Sequence, residues 1–182
     1  LSINDMDPFE LNRHIRLQYP QIPIVILTPF SKEVSQRLKS QDLSNIDQVF
    51  SWLGNPNLLL AIIKLIEDKM NAHYDIRQVG VQAIILVEDS VRYYSSYLPT
   101  MYKILFEQSQ LFMVEGLNEH QRMLRMRGRP KILLATSFEQ ALTYYEVYKT
   151  NVLGIISDVS FNVAGEKDKL AGVKFCQIVR SQ

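Results

Sequence analysis

Acidic side chains recur where the chain leaves an apolar run. Glu88 and Asp89 follow Ile84-Ile-Leu-Val87, Asp158 follows Gly154-Ile-Ile-Ser157, and the hydroxyl of Thr28 follows Ile24-Val-Ile-Leu27. If the segments carrying Glu88/Asp89 and Asp158 are neighbouring strands, three carboxylates converge at one edge, and like charges that close need a cation or protons. A hard divalent ion suits them. Mg2+ takes oxygen ligands in octahedral geometry and keeps waters, so carboxylates, a backbone carbonyl and a phosphate oxygen complete its shell. One carboxylate could then accept a phosphoryl group, with the metal and nearby donors holding the equatorial oxygens. Asp158, after a buried strand and before a glycine-bearing loop, is the better acceptor, and a threonine hydroxyl such as Thr28 is suited to sensing the new charge.

The elements that must position these groups alternate. Short continuous apolar runs at 22–27, 82–87 and 152–156 read as strands buried on both faces, as in parallel sheets, with weaker candidates at 131–135 and 46–50. Helical patterns lie between them. Asp7-Pro-Phe-Glu10 is an N-cap followed by an N1 proline and leads a helix to about Gln18. Ser137 with Gln140 opens another helix to about Tyr148, and Pro56 starts a third whose broad apolar stripe runs from Leu58 through Leu59, Ile62, Ile63, Leu65 and Ile66 to Met70. Alternation of this kind predicts an α/β fold with a mostly parallel sheet flanked by helices, whose functional loops lie beyond the carboxyl ends of the strands.

At the residues that carry the chemistry, the chain resembles the receiver domains of two-component response regulators. Ile84-Ile-Leu-Val-Glu88-Asp89-Ser90 is similar to a receiver's first strand and acidic pair, Gly154-Ile-Ile-Ser-Asp158-Val to its third strand and phosphoacceptor, and Val173 to Arg180 to its third helix. In the amino-terminal part, Asp7 to Arg16 resembles that third helix again, Ile24 to Thr28 the fourth strand with its switch hydroxyl, and Ile46 to Ile66 the fifth strand and helix. The resemblance implies a flavodoxin-like receiver fold. It also implies two partial receivers: residues 1–78, from third to fifth helix, and residues 79–182, from first strand to third helix. A circularly permuted assembly would close the two halves into one five-stranded sheet and bring Thr28 to the acids. The family's lysine after the fifth strand is missing, since Ser51-Trp-Leu-Gly-Asn-Pro56 stands in its place, so the first receiver is expected to be a degenerate pseudo-receiver. The region is also similar to regulatory regions of bacterial proteins that continue into phosphoenolpyruvate synthase-like enzymes.

On this resemblance the chain is a cytoplasmic signal receiver and not itself an enzyme. It takes phosphoryl on Asp158 from a histidine kinase or small phosphodonor, with Glu88, Asp89 and Asp158 holding Mg2+, and then switches a protein interface. The alternative is a non-phosphorylated pseudo-receiver that dimerises or docks on an attached enzyme domain. Asp89 and Asp158 lie further apart than the family's spacing, and the excess reads as a helical insertion at about 108–130. The amphipathic pattern from Val91 to Leu124 makes that insertion a long arm, for packing on the chain's own domains or for a homodimer.

Other features narrow the field. The longest apolar run, Leu58 to Ile63, is far short of the roughly 18 residues a membrane span needs, and Leu1 opens no signal-peptide pattern. A net charge of +1 gives no global pull toward nucleic acid. The cluster Arg122, Arg125, Arg127, Arg129 and Lys131 lacks interleaved aromatics and reads as a solvated face rather than a nucleic-acid site. Cys176, the only cysteine, excludes an intrachain disulfide and is expected to be a buried thiol beside Val173, Phe175 and Ile178.

Overall fold

A computed structural model of the chain describes residues 7–29, 44–111 and 128–181. The chain divides into two compact units, Leu1–Asn55 and Pro56–Gln182. Most of the expected 108–130 insertion lies outside the described residues.

In the first unit Asp7 caps helix α1 (Pro8–Gln18), its carboxylate accepting from the Phe9 amide at 3.1 Å. Strands β1 (Val25–Pro29) and β2 (Gln48–Trp52) pair in parallel, with Leu27 opposite Phe50 and Thr28 opposite Ser51. Phe9, Ile24, Ile26, Val49 and Phe50 are buried. Arg16 ties the unit together by bonding Asp47 at 2.6 Å, while the same Asp47 oxygen accepts from the Ile24 amide at 2.8 Å. The first strand begins later than the run at 22–27 suggests, because Pro23 has no amide to offer a ladder.

The second unit opens with helix α2 (Asn57–Arg77) and continues through β3 (Ala83–Val87), α3 (Val91–Leu111), β4 (Lys131–Ala135), α4 (Phe138–Tyr148) and β5 (Val152–Ser157). The hairpin strands β6 (Phe161–Val163) and β7 (Glu166–Asp168) and helix α5 (Ala171–Ser181) complete it. Ser137 caps α4 as its spacing with Gln140 predicts: the Gln140 amide donates to Ser137 Oγ, and the Gln140 side chain accepts from the Thr136 amide at 2.8 Å. Beta3 is central in the order β4-β3-β5, and both pairings are parallel. Alternate strand residues point to opposite faces. Ile85, Val87 and Ala135 pack with Tyr145 of α4 and Phe175 of α5, whereas their neighbours Leu86, Ile132 and Leu134 are buried too, so both faces of β3 and β4 are covered.

The expected α/β fold with parallel sheets is present. The described strands form a parallel two-stranded sheet in the first unit and, in the second, a parallel three-stranded sheet and the antiparallel hairpin β6–β7. Helix α2, grouped by the sequence reading with residues 1–78, packs instead with α3 and β4 of the second unit. Asp68 is the reason. Fully buried on α2, it takes both guanidinium nitrogens of Arg129 at 2.7 and 3.0 Å, the Tyr102 hydroxyl at 2.9 Å and the Ile132 amide at 3.0 Å. Lys131 is paired with Asp75 at 2.7 Å. Arg129 and Lys131 are therefore buried structural cations rather than members of a solvated face, while Arg122, Arg125 and Arg127 lie outside the described residues. Among the described residues, no helix is long and apolar enough to cross a membrane.

Candidate functional site

The ladder of the three-stranded sheet runs one residue past its strands. The Glu88 amide donates to the Ala135 carbonyl at 3.0 Å, and the Asp158 amide donates to the Val87 carbonyl at 2.9 Å. Backbone pairing thus sets Glu88, Asp89 and Asp158 together at the carboxyl edge, where each offers an oxygen within 4.8 Å of the others. Thr28 belongs to the first unit, where it is buried at the end of β1.

The three carboxylates are not equivalent. Glu88 is buried, and one oxygen accepts from the Ser90 amide at 3.0 Å. Burial pushes its carboxyl above the ordinary 4.5, against the Ser90 bond, and the charges of Asp158 and Asp89 push the same way while Lys167 opposes them. Asp158 Oδ1 accepts from the Val159 amide at 2.7 Å, which turns the side chain back over its own loop. Both oxygens of Asp89 are held by the Lys167 ammonium, at 2.8 and 2.9 Å.

Because Glu88 must ionise before it can ligate, cation affinity here should strengthen as pH rises above 4.5 through the range in which Glu88 titrates. Calorimetric titration with Mg2+ in two buffers of different ionisation enthalpy measures the accompanying proton release. The sign for folding is opposite to that of a salt-bridged acid: a raised folded value favours the native state below the unfolded value, and that contribution is lost as pH rises through the folded one.

Lys167 stands on the hairpin, an element the sequence reading missed. Its strands are only three residues long, and the two-residue turn is Ala164-Gly165 without the asparagine that marks such turns. Both turn residues have positive φ, 50° and 85°. The strained alanine is held by Glu139, whose carboxylate accepts from the Ala164 amide at 2.7 Å, and the base is held by Phe161, buried beside Phe138. The only sequence signal for Lys167 is its place in a short charged run.

Helix α5 begins against the loop that carries Asp158 and Val159. The Gly172 amide donates to the Val159 carbonyl at 3.0 Å, and a Cβ at Gly172 would fall 2.3 Å from the Asp158 carbonyl oxygen. Gly172→Ala must push that backbone away, so it should weaken Mg2+ binding about tenfold, as losses of supporting contacts around metal ligands do. Titration calorimetry on the folded variant checks it. Cys176 is exposed, contrary to expectation, because Phe175 takes the buried position of α5 and the next residue turns about 100° away. It lines a groove of about 530 Å3 with Asp158, Val159 and Val173.

Three carboxylates within reach of one another could hold a hard divalent cation. No protein-family model, curated protein or solved structure matches the chain.

Proposed function

We propose that the second unit is a flavodoxin-like receiver that accepts a phosphoryl group on Asp158, with Mg2+ held by Glu88, Asp89 and Asp158, and thereby switches a protein interface. The convergence of those three carboxylates at the ends of neighbouring parallel strands carries this reading. The donor is a histidine kinase or a small phosphodonor such as acetyl phosphate, and the setting is the cytoplasm.

An Asp158 carboxylate oxygen attacks phosphorus. A new P–O bond forms as the bond to the leaving group breaks, and the electron pair departs on acetate or on the donor's imidazole nitrogen. Mg2+, when bound, supplies positive charge to the phosphoryl oxygens. The Val159 amide holds the other Asp158 oxygen in place. Phosphorylation adds about −1.5 to −2 charges beside the apolar groove that Asp158 and Val159 share with Val173 and Phe175. Thr28 serves as switch hydroxyl only in an assembly that joins the strands of both units.

One observation favours a second reading, a pseudo-receiver that docks on an attached enzyme domain. Lys167 already neutralises Asp89, so the cluster is partly compensated without a metal. Incubation with acetyl phosphate and Mg2+, followed by intact mass and peptide mapping, separates the two. A phosphoryl adduct on Asp158 supports the receiver; no adduct together with no Mg2+ binding supports the docking module.

A further inference from the structure

We propose that the outward face of α2 is an interface between two copies of this chain, paired antiparallel about Ile66. The apolar stripe of α2 is wider than one core can cover. Leu58, Ala61, Ile62, Leu65, Ala72 and Ile76 are buried with Asp68. On the opposite side Leu59, Ile63, Met70 and Tyr74 are 50%, 56%, 67% and 64% exposed, and Leu60 beside them is 44% exposed.

The spacing is informative. Leu59, Ile63, Ile66 and Met70 follow one another at four, three and four residues, the repeat that keeps a seam facing a partner helix and lets knobs enter holes. With Tyr74 they form a line about 22 Å long on one side of the helix. The five exposed side chains present on the order of 600 Å2 to water, the upper end of the largest apolar patch on an ordinary monomer. With a polar rim added, this approaches the ~800 Å2 per partner of a standard stable interface.

The stripe also fits itself. A two-fold axis near Ile66 sets Leu59 opposite the other copy's Tyr74 and Ile63 opposite its Met70, so each larger, flexible or aromatic side chain meets a branched aliphatic one. Self-complementarity of this kind is what an isologous dimer requires. At the edge of the face Lys64 and Glu67 are already paired at 2.6 Å, so two copies approach without net repulsion from this pair.

Sedimentation velocity on the full chain through the micromolar range tests the proposal. The expected result is a reversible monomer–dimer equilibrium. Ile63→Glu and Met70→Glu should each raise its dissociation constant about a hundredfold, the effect of losing a central interface side chain, with far-ultraviolet circular dichroism spectra unchanged because both residues face water in the monomer. Should one variant lose its fold, the other decides. Ile156→Glu, on the exposed β5 edge (51% exposed), should leave the equilibrium untouched. A chain that stays monomeric throughout, or a dimer that Ile156→Glu breaks while Ile63→Glu and Met70→Glu do not, overturns the proposal.

Discussion

Asp68→Ala is expected to lower the stability of the second unit by about 3–5 kcal/mol, the cost of removing one partner from a buried ion pair. The carboxylate joins three elements. Its two oxygens take Arg129 from the turn before β4, the Tyr102 hydroxyl from α3 and the backbone amide of Ile132 in β4. Arg129 also lies over the rings of Tyr102 and Phe106, at 5.5 and 5.4 Å from their centroids. Alanine leaves a guanidinium, a phenol and an amide without their acceptor in a place water does not reach. With domain stabilities of roughly 5–15 kcal/mol, such a loss brings the unit close to unfolding at room temperature. The carboxylate and its hydrogen bond also push the Tyr102 hydroxyl's ionisation upward, after burial itself. Hydrogen exchange of α2 and β4 amides in urea measures the effect within the unit that holds the network. Asp68→Leu combined with Arg129→Met and Tyr102→Phe should recover much of the loss, because replacing a whole buried charge network by apolar groups of similar size is often neutral. Equal exchange rates in wild type and Asp68→Ala would refute the assignment.

Much of this architecture is legible in residue order because its signals are local. The capping pairs at Asp7 and at Ser137 with Gln140 announce helix starts within one turn, and both hold. Unbroken aliphatic runs announce strands covered on both faces, and Ile84 to Val87 lies at the sheet centre as such a run should. What escaped depends on long-range pairing. Asp68 sits in step with Leu65, Ala72 and Ile76 on the buried stripe of α2, and a carboxylate at a core position implies a buried cation without saying which one. The answer, Arg129, is 61 residues away. That distance explains why Arg129 and Lys131 read as a solvated basic face and why the sequence alone places α2 with residues 1–78. The acidic site divides the same way. Glu88, Asp89 and Asp158 follow directly from strand ends, whereas Lys167 comes from a hairpin too short for its pattern to register.

Asp158→Asn should reduce phosphoryl uptake from acetyl phosphate to background while leaving the fold intact. The geometry distinguishes Asp158 from its neighbours. Glu88 is buried with one oxygen engaged by the Ser90 amide, and Asp89 has both oxygens on Lys167. Like Glu88, Asp158 has one oxygen fixed by a backbone amide, but of the three only Asp158 combines this with an exposed side chain that no lysine holds. A nucleophile needs that combination, since orientation comes from the first oxygen and attack from the second. Asparagine keeps the shape and can still accept from the Val159 amide, but its amide nitrogen cannot form an acyl phosphate. Intact mass and peptide mapping after incubation with acetyl phosphate and Mg2+ give the readout. Asp89→Ala supplies the complementary case: it leaves the nucleophile in place but should abolish Mg2+ binding, and with it the charge that steadies the phosphoryl oxygens. Uptake lost in both variants, with Mg2+ binding weakened but measurable in Asp158→Asn and absent in Asp89→Ala, assigns acceptor and cation ligand separately. An adduct that persists in Asp158→Asn would place the acceptor elsewhere and remove the basis of the receiver reading.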